Sequence, residues 1–201
     1  MKQTAELILG RKLKKKDGFP NSDIKKAESI LGVKIPSALK EFYLNAAKVD
    51  FLRSGFQRIY LPEDLYIDKE MLVFSEENQR VCAWGVKCSE LKVNSDPIVY
   101  QGQHTEEYSW YSEKNVISKF LNIILYYQAA AAYEFHGSNE NYIQILKKVD
   151  KRCDIVVNDN GLKIYWNKGK IIYYLEGNEC CKVSARDENL YKELKEEFEL
   201  E

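Results

Sequence analysis

The sequence predicts an α+β fold: an antiparallel sheet of about five to seven strands packed by N-terminal, central and C-terminal helices. Three observations predict it. Apolar residues recur at helical spacing near residues 22–46, 113–132 and 187–198. Short runs rich in β-branched and aromatic residues fill the intervals. Those runs are grouped into meanders and do not alternate singly with helices, which favours an antiparallel sheet over a doubly wound one.

In SDIKKAESIL, residues 22–31, Ile24, Ala27, Ile30 and Leu31 keep helical spacing, with Ser22 as N-cap and Gly32 as stop. Pro36 then stands where a first helical turn tolerates proline, and Leu39, Phe42, Tyr43 and Ala46 follow as an apolar stripe. From residue 56 the runs FQRIYL, MLVFSE, RVCAWGV and PIVYQG read as strands, separated by Pro62, Asn78, Gly85 and the 94–97 cluster. In RVCAWGV the apolar residues run together without alternation, as a strand covered on both faces does, so this run is the expected central strand.

Residues 113–132 predict the main core helix, with Ser112 as cap and Val116, Ile117, Phe120, Leu121, Ile124, Tyr127 and Ala131 on its apolar face. Beyond Gly137 a second β region is expected, with DIVV, GLKIYW, KIIYYLE and CKVSA joined by NDNG, NKGK and EGNE as a hairpin meander. DENLYKELKEEF closes the chain as a helix carrying Leu190, Leu194 and Phe198. No repeat or linker divides the 201 residues, so one domain spanning 1–201 is expected, with 1–21 allowed for as a less ordered lead-in.

Composition narrows the function classes. Thirty basic residues against 31 acidic ones leave a net charge of -1, so the chain as a whole has no pull toward nucleic acid or an anionic membrane. The basic run Arg11, Lys12, Lys14, Lys15 and Lys16 reads as solvated surface charge, and the last fifteen residues hold seven acids. Five cysteines without regular spacing fit a reducing compartment, and the N-terminus lacks the apolar segment of a signal peptide, so a cytoplasmic location is expected. FLNIILYYQAAAAYEF falls short of the roughly 18 residues a membrane helix needs.

Chemistry is sparsely signalled. Neither GxGxxG nor GxxxxGK[ST] occurs, His104 and His136 have no partner at zinc spacing, and no GxSxG surrounds a serine. Catalytic, cofactor and metal sites are therefore all expected to be absent; a hydrolase would require a deep pocket joining a cysteine to His104 or His136. The stretch QGQHTEEYSWYSEK, expected as a loop, crowds Tyr108, Trp110 and Tyr111 among acids, the composition of a contact surface. Glu63, Asp64, Glu76, Glu77, Glu106 and Glu107 are the other candidate contacts.

IPSALKEFY at 35–43, ENQRVCAWGVK at 77–87 and SDPIVY at 95–100, in this order and spacing, resemble the SUKH superfamily in its Smi/Knr-type branch. SEKNVISKFLNIIL and CKVSARDENLYKEL are similar to that family's later helix and its closing strand-to-helix junction, although Asn45-Ala46-Ala47 replaces the Asn-Gly pair many relatives carry. Pro36, Phe42, Tyr43, Trp84, Asp96 and Pro97 read as frame: a helix start, packing residues and a turn. The resemblance implies an immunity protein that binds a cognate polymorphic toxin, such as a nuclease, and occludes its cleft, with acidic patches meeting a basic toxin surface. Its other implication is an intracellular regulatory or scaffolding module.

Overall fold

The computed structural model describes residues 1–92, 95–103 and 109–198. Its first segment, where a less ordered lead-in was allowed for, is built: helix α1 (Lys2–Leu9) buries Ala5 and Ile8 and ends at Gly10 in the left-handed region. A 3-10 turn at Lys15–Asp17 follows, and the basic run around it is partly committed: Arg11 pairs with Asp17 at 2.6 Å and Lys12 with Glu6 at 2.9 Å.

Helix α2 (Asn21–Leu31) starts one residue before the expected cap. Extended backbone at Pro20 sets the start, and the Ser22 hydroxyl turns to Asp23. Gly32 stops the helix at φ 71, as expected. Ile30 leaves the predicted stripe and is 74% exposed, because Glu28 takes the buried position and bonds the Ile35 amide and Lys34. Pro36 then precedes helix α3 (Ser37–Asn45), whose Leu39, Phe42 and Tyr43 are buried. Ala46 and Ala47, where the Asn-Gly pair is missing, are buried as well and both donate to the Phe42 carbonyl. A short helix α4 (Asp50–Ser54) completes this group.

The first sheet contains β1 (Arg58–Ile59), β2 (Tyr66–Asp68), β3 (Met71–Glu76), β4 (Cys82–Lys87), β5 (Ile98–Gln103) and β6 (Ser109–Val116). Its order is β1-β3-β4-β5-β6, with β2 also on β3, and every pair is antiparallel. The tryptophan-bearing β4 lies in the middle, as its unbroken apolar run predicts.

Helix α5 (Ile117–Ala132) begins four residues later than expected, since Glu113–Val116 extend β6 against β5. Ser112 is therefore a strand residue, and the cap comes from elsewhere. Ile117, Phe120, Leu121 and Ile124 are buried, while Ala131 at the far end is exposed.

The meander expected beyond Gly137 is present with an added strand, but it forms a separate sheet, so the single sheet of about five to seven strands is corrected to two antiparallel sheets. β8 (Asp154–Asp159), β9 (Leu162–Asn167), β10 (Lys170–Leu175) and β11 (Cys181–Ala185) follow in register, and β7 (Phe135–Asn139) pairs with β11 to give the order β7-β11-β10-β9-β8. Helix α6 (Tyr142–Val149) was not expected; helix α7 (Glu188–Phe198) was, and both cover one face of this sheet. Ile145, Val149, Leu194 and Phe198 pack there against Tyr165, Ile172 and Val183.

Val157, Ile164, Trp166 and Ile171 leave the opposite face and join the large core that holds α5, the N-terminal helices and the inner face of the first sheet. The order through the molecule is thus sheet, helices, sheet, helices. A polar clasp closes the seam: Asp159 accepts from Asn115 of β6 at 2.8 Å and from Lys119 of α5 at 2.6 Å. Burial pushes the Asp159 carboxyl up, but these two donors outweigh it and leave it below 3.8. Among the described residues no helix is long and apolar enough to cross a membrane.

Candidate interaction face

The face of the first sheet turned away from α5 carries two of the described candidate residues, Glu76 and Trp110, and cross-strand register builds it. Residues directly opposite one another in an antiparallel pair share a face. Arg58 faces Glu76, Glu76 faces Ala83, Ala83 faces Gly102 and Gly102 faces Trp110, so these five form one row. The next row on the same face is Tyr66, Val73, Gly85, Tyr100 and Ser112.

Ala83, Gly85 and Gly102 give the middle of these rows little side-chain bulk and are themselves buried, as is Val73, so neighbouring side chains cover this part of the face. On one side the Trp110 ring leans over Gly85, where an added Cβ would lie 3.3 Å from the indole. Tyr100 stands beside it under the Lys87 ammonium, 4.7 Å from the ring centroid. On the other side Tyr60 and Tyr66 tilt against each other at 5.9 Å.

Glu76 does not present an acid to solvent. It is 8% exposed, accepts from Arg58 at 3.0 Å and from the Tyr60 hydroxyl at 2.9 Å, and lies 3.6 Å from Arg80. Its role as a surface contact is therefore corrected to an internal anchor that holds Arg58 and Tyr60. Burial first, and then the bond to Glu76, hold the Tyr60 phenol far above its usual range. Glu77, the next residue, bonds the Gln79 amide and shapes the β3–β4 turn.

The other candidates scatter. Glu63 and Asp64 are exposed on a 3-10 turn at Pro62–Asp64, where Glu63 borders Asp23, Lys26 and the exposed Ile30. Tyr111 is 58% exposed but falls in the row of Trp84 and Gln101, on the face opposite Trp110. Neither Trp110 nor Tyr111 is in a loop: both are on β6, and the period of a strand separates them. Glu106, Glu107, Tyr108 and His104 lie outside the described residues.

The residues read as frame have the following contacts. Trp84 packs on Phe120 and donates its Nε1 to Glu113 at 2.9 Å, Tyr43 donates to the Tyr60 carbonyl at 2.8 Å, and Phe42 is buried. Pro97 is buried, and its carbonyl receives the Ile117 amide at 2.9 Å. Sequence reasoning missed Gly85, Tyr100, Tyr60 and Tyr66 as parts of the face; the glycine inside an otherwise apolar strand was the available signal.

His136 borders a cavity of about 160 Å³ between α5 and the second sheet, with Phe56, Tyr127, Tyr173 and Lys182 around it. No cysteine is among the described residues lining it. Cys82 and Cys181 are buried, and burial pushes the Cys181 thiol up to about 11, away from the thiolate form. No family model matches the chain, and no curated protein or solved structure matches it either.

Proposed function

We propose that this chain is an immunity protein, which binds a cognate toxin and neutralises it by covering the toxin's working cleft. The observation carrying the reading is the β5–β6 hairpin at the edge of the first sheet. It packs Trp110 over Gly85 on one face and leaves Tyr111 mostly exposed on the other. Large aromatics held on a rigid strand lose little conformational freedom on binding, and such residues supply the anchors of protein interfaces. The ordered likeness of IPSALKEFY, ENQRVCAWGVK and SDPIVY to SUKH motifs supports the same reading.

Occlusion needs no catalytic group from the inhibitor. It needs a preformed surface that fits the cleft and excludes water and substrate. Exposed Glu63 and Asp64 supply negative charge beside α2 for a basic toxin, whereas Glu76 is already neutralised by Arg58 and Arg80.

The test is co-expression with the product of the neighbouring gene. A product that kills alone, is harmless with this chain and co-purifies with it supports the proposal. Failure both to rescue growth and to co-purify overturns it.

A further inference from the structure

Six arginines occur in the sequence, and five have a carboxylate partner: Arg11 with Asp17, Arg53 with Asp50, Arg58 and Arg80 with Glu76, and Arg152 with Glu197. Arg186, just after β11, is the sixth. Among the described residues its guanidinium has no ion pair and no hydrogen bond, although the residue is partly buried. The adjacent acid is used elsewhere, since Asp187 accepts the Leu190 amide at the start of α7.

The guanidinium is held in place from two sides. Gly10 and Gly169 both adopt positive φ, 64 and 96. A Cβ on Gly10 would lie 2.3 Å from Nη1 of Arg186, and one on Gly169 would lie 3.2 Å from its Cζ. Glycine at these two positions makes room for a flat group that any side chain would push aside. The result is a fork of donors fixed before any acceptor arrives, the geometry that suits bidentate binding of an oxyanion.

Arg186 opens into a cleft of about 580 Å³ between α1 and the β9–β10 turn. Four cations line it: Arg11, Lys12, Lys168 and Arg186. Two are spent on Asp17 and Glu6, which leaves Lys168 and Arg186 without an ion pair among the described residues. A phosphomonoester carries a charge of about −1.5 to −2 near neutral pH, which matches these two cations; a carboxylate supplies half of that. Leu7, 44% exposed, and Trp166 give the same cleft an apolar wall.

We propose that this cleft binds a small phosphomonoester. The phosphate sits on the Arg186 fork with Lys168 beside it, and an apolar or aromatic body lies against Leu7 and Trp166. The site is separate from the sheet face assigned to the protein partner, and neither proposal depends on the other.

Calorimetric titration of the full chain at low salt with phenyl phosphate, inorganic phosphate and benzoate tests it. Phenyl phosphate is expected to bind with one-to-one stoichiometry and more tightly than either other probe. Arg186→Gln is expected to weaken it about tenfold or more, and Lys168→Gln by a smaller factor, with thermal unfolding unchanged. Absence of phenyl phosphate binding at millimolar concentration overturns the proposal, as does equal binding of benzoate or undiminished binding by Arg186→Gln. Should Arg186→Gln not fold, Arg186→Lys keeps the charge and loses the fork, and full affinity in that variant is equally fatal. Arg186-dependent binding of a polyglutamate peptide without phenyl phosphate binding would identify a protein-docking surface instead and overturn the small-ligand assignment.

Discussion

The carboxylate of Asp96 caps α5 from outside the helix, accepting the Ser118 amide at 2.9 Å and the Ser118 hydroxyl at 2.6 Å. Val116, at the N-cap position itself, has no side-chain oxygen to offer, so the strand entry before β5 supplies what the helix lacks. The same entry gives the Pro97 carbonyl to Ile117. Asp96→Ala is expected to destabilise the protein by about 1–2 kcal/mol in urea unfolding, and Asp96→Asn by less. An unchanged midpoint would remove Asp96 from the capping role.

Gln128 is a second long-range tie, fully buried within α5. Its Oε1 accepts from the Phe56 and Gln57 amides, and its Nε2 donates to the Gln57 carbonyl. Leucine would fill the volume but leave those backbone groups unpaired. Gln128→Leu should therefore cost about 2–4 kcal/mol despite its greater hydrophobicity. A stabilised variant would contradict this.

Asp17 predicts an acid limb in stability. The bond from Arg11, then that from the Lys14 amide, holds its carboxyl at about 2, below the 3.8 of an unfolded aspartate. A lowered folded value gives stabilisation that is complete above 3.8 and is lost as pH falls toward 2. The stability gap between the wild type and Asp17→Asn should thus narrow between pH 5 and about pH 2. A gap independent of pH over that window would assign the Asp17 contribution to something other than its charge.

Tyr111 separates binding from folding. Its ring is mostly exposed, so Tyr111→Ala should shift stability by no more than about 0.5 kcal/mol. If the β5–β6 hairpin is the contact, the same change should weaken toxin binding about tenfold or more in a titration. Full affinity in the folded variant would exclude Tyr111 from the interface.

The elements with strong periodicity were legible from sequence, including the stripe of α3, the core face of α5, the meander β8–β11 and Leu194 and Phe198 of α7. The failures have physical causes. WYSEKNV shows no alternation because β6 is an edge strand with a residue at positive φ, Lys114, so its sequence resembled the first turns of the helix that follows. FHGSN is polar and carries a glycine, and only pairing with β11 makes it a strand. NYIQILKKV does hold helical spacing at Tyr142, Ile145, Leu146 and Val149, but lies within a stretch read as β. Glu76 and Glu77 are adjacent and look alike in sequence; which one is neutralised depends on Arg58, eighteen residues away. Arg186 carries no local signal at all, since its lack of a carboxylate partner among the described residues is a fact of tertiary structure.

The seam between the two sheets has a practical consequence. Division of the chain after the exposed Glu134 would leave α5 with the N-terminal fragment and strip the cover from Val157, Ile164, Trp166 and Ile171 of the C-terminal fragment. That fragment would then hold a sheet wet on one side and a single tryptophan, Trp166, to report on it. Reassociation of the two fragments would dry that ring and shift its emission to the blue, so the molecule contains the parts of a fragment-complementation sensor.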